Sequence, residues 1–155
     1  TGEALKSYED TLDVMKYLVL FLPLIVSSGG NSGSQAASLV IRAIAVREME
    51  LTDWYKVLKR EISVGLCLGV ALGLLGYGWT MLWGMAWPVN LIVFFSLIGV
   101  VLFGAVVGSM LPFLLKRVGF DPAVCSSPLI ASVSDVAGIL IFINIAIYLN
   151  GLVGG

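Results

Sequence analysis

Long apolar stretches separated by short polar connections dominate the chain. Four stretches contain no charged residue, at 17–41, 62–115, 122–134 and 136–155. Crossing a bilayer as a helix takes about 20 apolar residues. The first stretch is therefore long enough for one pass, the second for two, and the last two together for one more. Because only helices and closed barrels satisfy their backbone groups in lipid, the pattern predicts an all-α membrane protein, a polytopic bundle of four transmembrane helices.

The predicted helices form one transmembrane domain over residues 1–155. Their spans are expected at about 14–46, 56–80, 88–115 and 122–150. The turn between the second and third spans is expected between Gly76 and Pro88. The tryptophans of this turn suit the aromatic belt that forms at a membrane surface.

The start of the last span admits two interpretations. Asp121-Pro122 and Ser127-Pro128 each have the composition of a helix start, with a capping side chain followed by proline. The span is therefore either one helix kinked at Pro128 or a short helix followed by the span itself.

The distribution of lysine and arginine predicts the orientation. Basic residues concentrate in the connections 42–61 and 116–127, whereas the hairpin at 76–90 carries no charge. Short basic loops remain in the cytoplasm. We therefore expect a multi-pass protein of the plasma (inner) membrane, with the 76–90 hairpin and the C-terminus outside.

Composition excludes several classes of function. Charged residues make up 12% of the chain, against about 25% in soluble domains. The net charge of −1 gives no electrostatic reason to expect nucleic acid as a partner. Histidine is absent, which removes histidine-dependent metal sites and catalytic triads. Cys67 and Cys125 fit neither a disulfide framework nor a zinc site, and both are expected to be packing residues.

An enzyme is not expected either. Gly30-Asn31-Ser32-Gly33 matches the GxSG string of intramembrane serine proteases, but the chain has no histidine to act as the general base. Intramembrane aspartyl proteases need two aspartates within the membrane, and Asp135 is the only one.

Asp135 is the single charged residue within the long apolar stretches. A carboxylate at membrane depth is costly unless it faces protein, water or an ion, so it marks a candidate functional site. On a helix Asp135 shares its face with small residues such as Ala131 and Gly138, which leaves room for water or an ion. No lysine or arginine lies in any of the four apolar stretches to neutralise it.

A hard divalent cation is the natural partner for such a carboxylate. Carboxylate, amide, hydroxyl and carbonyl oxygens suit Mg²⁺, Ca²⁺ or Mn²⁺. Mg²⁺ is usually held through its water shell by one or two carboxylates. Two copies of Asp135 across a two-fold axis would supply two, and such dimers are the commonest oligomers. The sequence thus indicates a homodimer with a pore on its axis.

A polar segment, Ser27–Gln35, interrupts the first apolar stretch. On a helix its polar side chains form two neighbouring stripes, one with Ser27, Asn31, Ser34 and Ser38, the other with Ser28, Ser32 and Gln35. The segment is either a packing face of small residues or a polar pathway, and its two amides favour the pathway. Gly29-Gly30 is expected to loosen the helix and free backbone carbonyls.

These motifs resemble those of the MgtE magnesium channel/transporter family. Residues 23–35 are similar to its proline-then-GGNxGxQ signature. Residues 120–123 are similar to the start of its last helix, and residues 134–138 to the sequence around its pore aspartate. The resemblance extends from about residue 8 to about residue 150.

The resemblance implies a homodimer with five transmembrane helices per chain and a Mg²⁺ pore on the dimer axis. Asp135 would bind the hydrated ion, with carbonyls from Ser27, Gly30 and Ala131, and Asn31 would line the pore nearby. Further pore-lining positions would be Ser34, Gln35, Ser134 and Gly138. Family members often have Gly in place of Ser27 and Asn in place of Ser34.

The four spans would match helices 2–5 of the family, so its first helix and its cytoplasmic sensor domains are expected to be absent from this sequence. An ungated or differently gated channel follows as a hypothesis. At the cytoplasmic mouth, Asp121 and Glu48 are candidates for a peripheral metal site, although solvated loop charges explain them more simply.

The sequence therefore predicts a channel for Mg²⁺, with membrane lipid, divalent cations and a second copy of the chain as partners. Transport of Mn²⁺, Co²⁺ or Ca²⁺ is left open. The alternative is a secondary transporter for divalent cations coupled to H⁺ or Na⁺. A third interpretation is an assembly subunit that transports nothing.

Overall fold

The computed structural model describes residues 2–124 and 127–153, with side chains from residue 16 to residue 152. These residues form four long helices: α1 (Gly2–Ala45), α2 (Trp54–Leu82), α3 (Trp87–Arg117) and α4 (Ser127–Val153). Two 3₁₀ turns, Leu51–Asp53 and Pro122–Val124, lie in the connections. The described part of the chain contains no strand, and the predicted all-α class is confirmed.

The helix ends differ from the expected spans at two places. α1 begins at Gly2, well before residue 14, because glutamate, alanine, leucine and lysine near its start favour helix even outside the apolar stretch. The last span has the second of the two arrangements considered above. A 3₁₀ turn at Pro122–Val124 comes first, and α4 begins separately at Ser127.

Three helices of the described chain are long and apolar enough to cross a membrane. They cover Leu51–Leu82, Trp87–Arg117 and Ser127–Leu152. α1 is not among them when the described residues, from residue 16 onward in this helix, are assessed. The first of the four predicted spans therefore remains a prediction.

α3 lies at the centre of the bundle and contacts α1, α2 and α4, while α1 also packs on α4. The main core joins Ile25 of α1, Val93 and Leu97 of α3, and Phe142 of α4, all at most 6% exposed. α3 thus positions the two helices that carry the predicted site.

α2 packs on α3 through a row of buried glycines at helical spacing. The row contains Gly65, Gly69, Gly73 and Gly76. A Cβ atom on Gly69 would lie 2.9 Å from the Cα atom of Ile98. Glycines of this kind let two helix backbones approach closely, which is how helices gain packing energy in a bilayer.

The turn between α2 and α3 occupies residues 83–86, inside the expected range. Trp79, Trp83 and Trp87 around it are all more than half exposed, as an interfacial belt requires. Cys67 is exposed on α2, so the prediction that it packs inside the protein is wrong for the single chain. Cys125 lies outside the described residues.

Candidate functional site

The polar segment of α1 is helical throughout. α1 runs without interruption from Gly2 to Ala45, so the prediction that Gly29-Gly30 loosens the helix is wrong. Both glycines are buried against neighbouring helices, and this packing offsets their low helix propensity. The carbonyls of Ser27 and Gly30 therefore lie within a regular helix.

One face of the polar segment packs on α3. A Cβ atom on Gly104 would overlap the carbonyl oxygen of Gly29, and one on Gly108 would overlap that of Gly33. Beside this contact, the Ser32 hydroxyl donates a hydrogen bond of 3.2 Å to the Val101 carbonyl. This face is the packing surface of small residues that the first interpretation of the segment describes.

A second face meets α4 at Asp135. A Cβ atom on Gly30 would lie 2.9 Å from Oδ1 of Asp135 and 3.7 Å from the Cα atom of Ala131. A side chain at position 30 would therefore require the Asp135 carboxylate to move aside. Gly30 of the predicted metal site thus lies beside Ala131 and Asp135, from which it is far apart in sequence.

A third face of the segment is exposed and polar. It carries Ser27, Asn31, Gln35 and Ser38. The Asn31 amide donates to the Ser27 hydroxyl at 3.4 Å. Ser27 and Asn31, the two other residues of the predicted metal site, therefore lie side by side on this face. Ser34, predicted in the same stripe, is instead half-buried, and its hydroxyl donates to the Ser127 carbonyl at 3.2 Å.

Toward the C-terminal end of α1, the exposed polar face continues into an open cleft of about 460 Å³ between α1 and α4. Its lining includes Ser34, Gln35, Ser38 and Ser127. Two of the predicted pore-lining residues, Ser34 and Gln35, are therefore accessible beside the exposed polar face.

The other two predicted pore-lining residues are buried at helix contacts. Ser134 is 1% exposed, and a Cβ atom on Gly33 would lie 2.9 Å from its hydroxyl oxygen. That hydroxyl has no hydrogen-bond partner among the described residues. Gly138 packs against Val100 of α3 and Val26 of α1. In the single chain, neither residue reaches the exposed polar face.

Asp135 itself is half-buried in α4. Within residues 2–124 and 127–153, no hydrogen bond or ion pair joins its carboxylate to another residue. Residues 16–124 and 127–152, whose side chains the structure describes, contain no group of three or more Cys, Asp or Glu side chains that could hold a metal ion. One chain thus presents a single carboxylate, beside small residues and a polar helix face.

The two peripheral candidates are not brought together as a metal site. Oδ1 of Asp121 accepts a hydrogen bond of 2.9 Å from the Ala123 amide. Asp121 lines a cleft of about 340 Å³ together with Arg47 and Lys116. Two cationic side chains beside the carboxylate oppose the binding of a divalent cation. Glu48 is exposed and does not line this cleft.

Sequence reasoning missed one acidic residue that faces protein. Glu61 is 9% exposed, and it lies on the face of α2 that packs on α3, one helical turn before Gly65. In the sequence, Glu61 is the last residue of the basic connection 42–61, which was expected to lie outside the membrane. Its spacing of four from the first glycine of the buried row was the available signal.

A carboxylate without a partner beside a polar helix face, in a bundle with helices apolar enough to cross a membrane, marks a candidate functional site of a polytopic membrane protein. Comparison with known proteins narrows this class. A model of the family MgtE, described as divalent cation transporter, matches residues 22–145. The chain belongs to the MgtE family.

Three curated relatives carry the name magnesium transporter MgtE. The protein from Thermus thermophilus is 43% identical over 147 residues, and that alignment covers 94% of this chain and 32% of the relative. The Enterococcus faecalis and Bacillus subtilis proteins are 28% and 27% identical over 146 residues, with the same coverage. The chain therefore spans about a third of the length of these relatives.

Proposed function

We propose that two copies of this chain form a magnesium channel in the plasma membrane. A hydrated Mg²⁺ ion lies on the dimer axis between the two Asp135 carboxylates. The carbonyls of Ser27, Gly30 and Ala131 accept hydrogen bonds from its water shell, and Asn31 lines the path beside it. Membership in a divalent cation transporter family and the name shared by the three relatives support this proposal.

The unpartnered state of Asp135 is the observation that carries the proposal. A charged carboxylate at the centre of a membrane helix costs about 2.5–3.5 kcal/mol on insertion scales. No cation of the described chain offsets this cost. One dication between two carboxylates restores neutrality, because two negative charges match its charge of +2.

The exposed polar face of α1 supports the homodimer. Amide and hydroxyl side chains on Asn31, Gln35 and Ser38 would be unfavourable against lipid, which offers them no hydrogen-bond partners. A second copy packed around this face would enclose it, and the enclosed side chains would face water. The same arrangement brings the second carboxylate that one chain lacks.

The donor set favours a hydrated ion with hard ligands. The proposed ligands are carboxylate, amide, hydroxyl and carbonyl oxygens, and the sequence contains no histidine. Mg²⁺ keeps most of its water when bound by few carboxylates, whereas Ca²⁺ prefers six to eight direct oxygen ligands. A site with two carboxylates and small neighbours therefore suits hydrated Mg²⁺ better than dehydrated Ca²⁺. Mn²⁺ and Co²⁺ are tested as competitors.

The basic connections support an orientation with both facing the cytoplasm. Arg42, Arg47, Lys116 and Arg117 are exposed at one end of the bundle, and the turn with Trp79, Trp83 and Trp87 lies at the other. Under the positive-inside rule, the end with the basic residues faces inward.

Asp135→Asn tests the function, because it keeps the side-chain shape and removes the charge. The chain is reconstituted in vesicles that contain a Mg²⁺-sensitive dye, and uptake is compared with that of Asp53→Asn, which changes an acid at the surface. We expect Asp135→Asn to abolish uptake and Asp53→Asn to preserve it. Unchanged uptake in Asp135→Asn would leave the assembly subunit as the better interpretation.

The secondary transporter is separated from the channel by its need for a coupling ion. Uptake is measured with and without opposed H⁺ and Na⁺ gradients at a fixed membrane potential. The channel predicts uptake that follows the Mg²⁺ driving force alone. Uptake that requires either gradient would identify the transporter instead.

A further inference from the structure

A cleft at the end of the bundle remote from the tryptophan-rich turn is not used by the proposed ion path. It has a volume of about 380 Å³ and lies between the start of α2 and the last turns of α3. Its lining is apolar except for two residues. The lining residues are Leu51, Thr52, Trp54, Met110, Phe113, Leu114 and Arg117. We infer that this cleft binds one anionic phospholipid, with an acyl chain on the apolar lining and the phosphate at Arg117. We name it the lipid cleft.

The position of the lipid cleft fits a lipid rather than a soluble ligand. α2 begins at Trp54 and α3 ends at Arg117, so the cleft lies where two spanning helices leave the hydrocarbon region. Phe113 and Arg117 are one helical turn apart, which is about 6 Å along α3. An acyl chain beside Phe113 would therefore place its headgroup at the depth of Arg117.

The charge at the mouth of the lipid cleft selects an anion. Arg117 is exposed, and no ion pair or hydrogen bond joins it to the part of the chain that the structure describes. Two acids are adjacent in sequence to the lining: Asp53 is paired with Lys56 at 2.8 Å, and Glu50 is exposed and does not line the cleft. A guanidinium group binds phosphate oxygens through two parallel hydrogen bonds, which makes arginine well suited to this role.

The apolar lining excludes free phosphate as the occupant. Leu51, Trp54 and Leu114 are each at least 40% exposed at this surface, and a small anion would cover none of them. A zwitterionic lipid would cover them but would present no net negative charge to Arg117. An anionic phospholipid satisfies both parts of the cleft, and it does so whether or not the chain transports ions.

Trp54 reports on the occupant directly, because it lines the cleft and is 47% exposed. Replacing Trp79, Trp83 and Trp87 by Phe leaves it as the only tryptophan. Its fluorescence is then measured in bilayers that contain phosphatidylglycerol or phosphatidylcholine with brominated acyl chains, which quench on contact. We expect phosphatidylglycerol to associate about fivefold more strongly, the factor expected for one basic residue at an anionic membrane.

The matched variants are Arg117→Gln and Arg60→Gln. Arg60 is exposed on the first turns of α2 but does not line the cleft. We expect the preference for phosphatidylglycerol to disappear in Arg117→Gln and to persist in Arg60→Gln. The inference would be overturned by equal quenching with both lipids or by loss of the preference in both variants. It would also be overturned if neither brominated lipid quenched Trp54, which would mean that protein covers this residue.

Native mass spectrometry of the unaltered chain gives a measurement that needs no variant. The chain is released from mixed micelles with equal amounts of the two lipids. We expect one retained phosphatidylglycerol per chain. Retention of neither lipid, or of both equally, would contradict the lipid cleft.

Discussion

Replacing Gly104 by alanine perturbs the predicted ion site without touching it. Gly104 lies on α3, and the added methyl group would overlap the carbonyl oxygen of Gly29 on α1. Carbon and oxygen atoms in such helix contacts normally lie about 3.3 Å apart, so α1 has to move away from α3 by about 1 Å. Gly30, the next residue on α1, faces Asp135. The displacement therefore reaches the carboxylate through one residue.

The size of the effect follows from the cost of overpacking. Inserting a methyl group into a well-packed contact costs about 1–3 kcal/mol. If the added methyl group destabilises the Mg²⁺-bound state by this amount relative to the Mg²⁺-free state, the apparent Mg²⁺ affinity falls by about 5–150-fold. Uptake into dye-loaded vesicles is measured over a range of Mg²⁺ concentrations and normalised to the amount of folded protein. We expect the half-saturating Mg²⁺ concentration to rise by a factor in this range.

Alanine substitutions at two other glycines serve as controls. They distinguish an effect on the position of Gly30 beside Asp135 from a general loss of helix packing. Gly69→Ala creates a milder overlap, with the added Cβ atom 2.9 Å from the Cα atom of Ile98, on a face of α3 about 120° around the helix from Gly104. Gly78 has no atom within 4 Å of an added Cβ. We expect Gly69→Ala to lower thermal stability but not Mg²⁺ affinity, and Gly78→Ala to change neither. If Gly104→Ala retains normal affinity, or Gly69→Ala loses as much, the positioning argument is wrong.

Two further substitutions test individual residues. Asn31→Leu should block Mg²⁺ uptake, because it places an apolar side chain on the exposed polar face. Asn144→Leu is the control and should preserve uptake, because the Asn144 amide donates to the Leu140 carbonyl of its own helix. Normal uptake by Asn31→Leu would remove Asn31 from the path. Ser134→Ala should leave uptake unchanged and raise the free energy of unfolding by about 1 kcal/mol, because it removes a buried hydroxyl without a partner in the described chain. A loss of uptake with retained stability would instead indicate that Ser134 lines the pore.

The sequence was sufficient to find Asp135, because a charge inside an apolar stretch is visible without any structure. It was also sufficient to indicate that the polar segment contacts something other than lipid. The resemblance to the family then paired Gly30 and Ala131 with Asp135, and the structure places all three together. Such pairings between helices cannot be read from periodicity, which describes each helix alone.

The errors arose where one residue type serves two roles. Glycine at 29, 30 and 33 packs on two different helices, and composition does not distinguish packing from unwinding. Ser134 precedes Asp135, but adjacent residues on an α-helix point about 100° apart, so it faces Gly33 instead of the exposed face. Glu61 was overlooked because it lies at the boundary between a basic connection and an apolar stretch.

The central claim is that the charge of Asp135 is matched by a divalent cation shared between two copies of the chain. Metal content after equilibrium dialysis against Mg²⁺, measured together with the molar mass of the purified assembly, tests it most directly. The account predicts a dimer that retains one tightly bound Mg²⁺ per two chains and loses it in Asp135→Asn. A monomer, or a dimer whose bound Mg²⁺ is unchanged by Asp135→Asn, would contradict it.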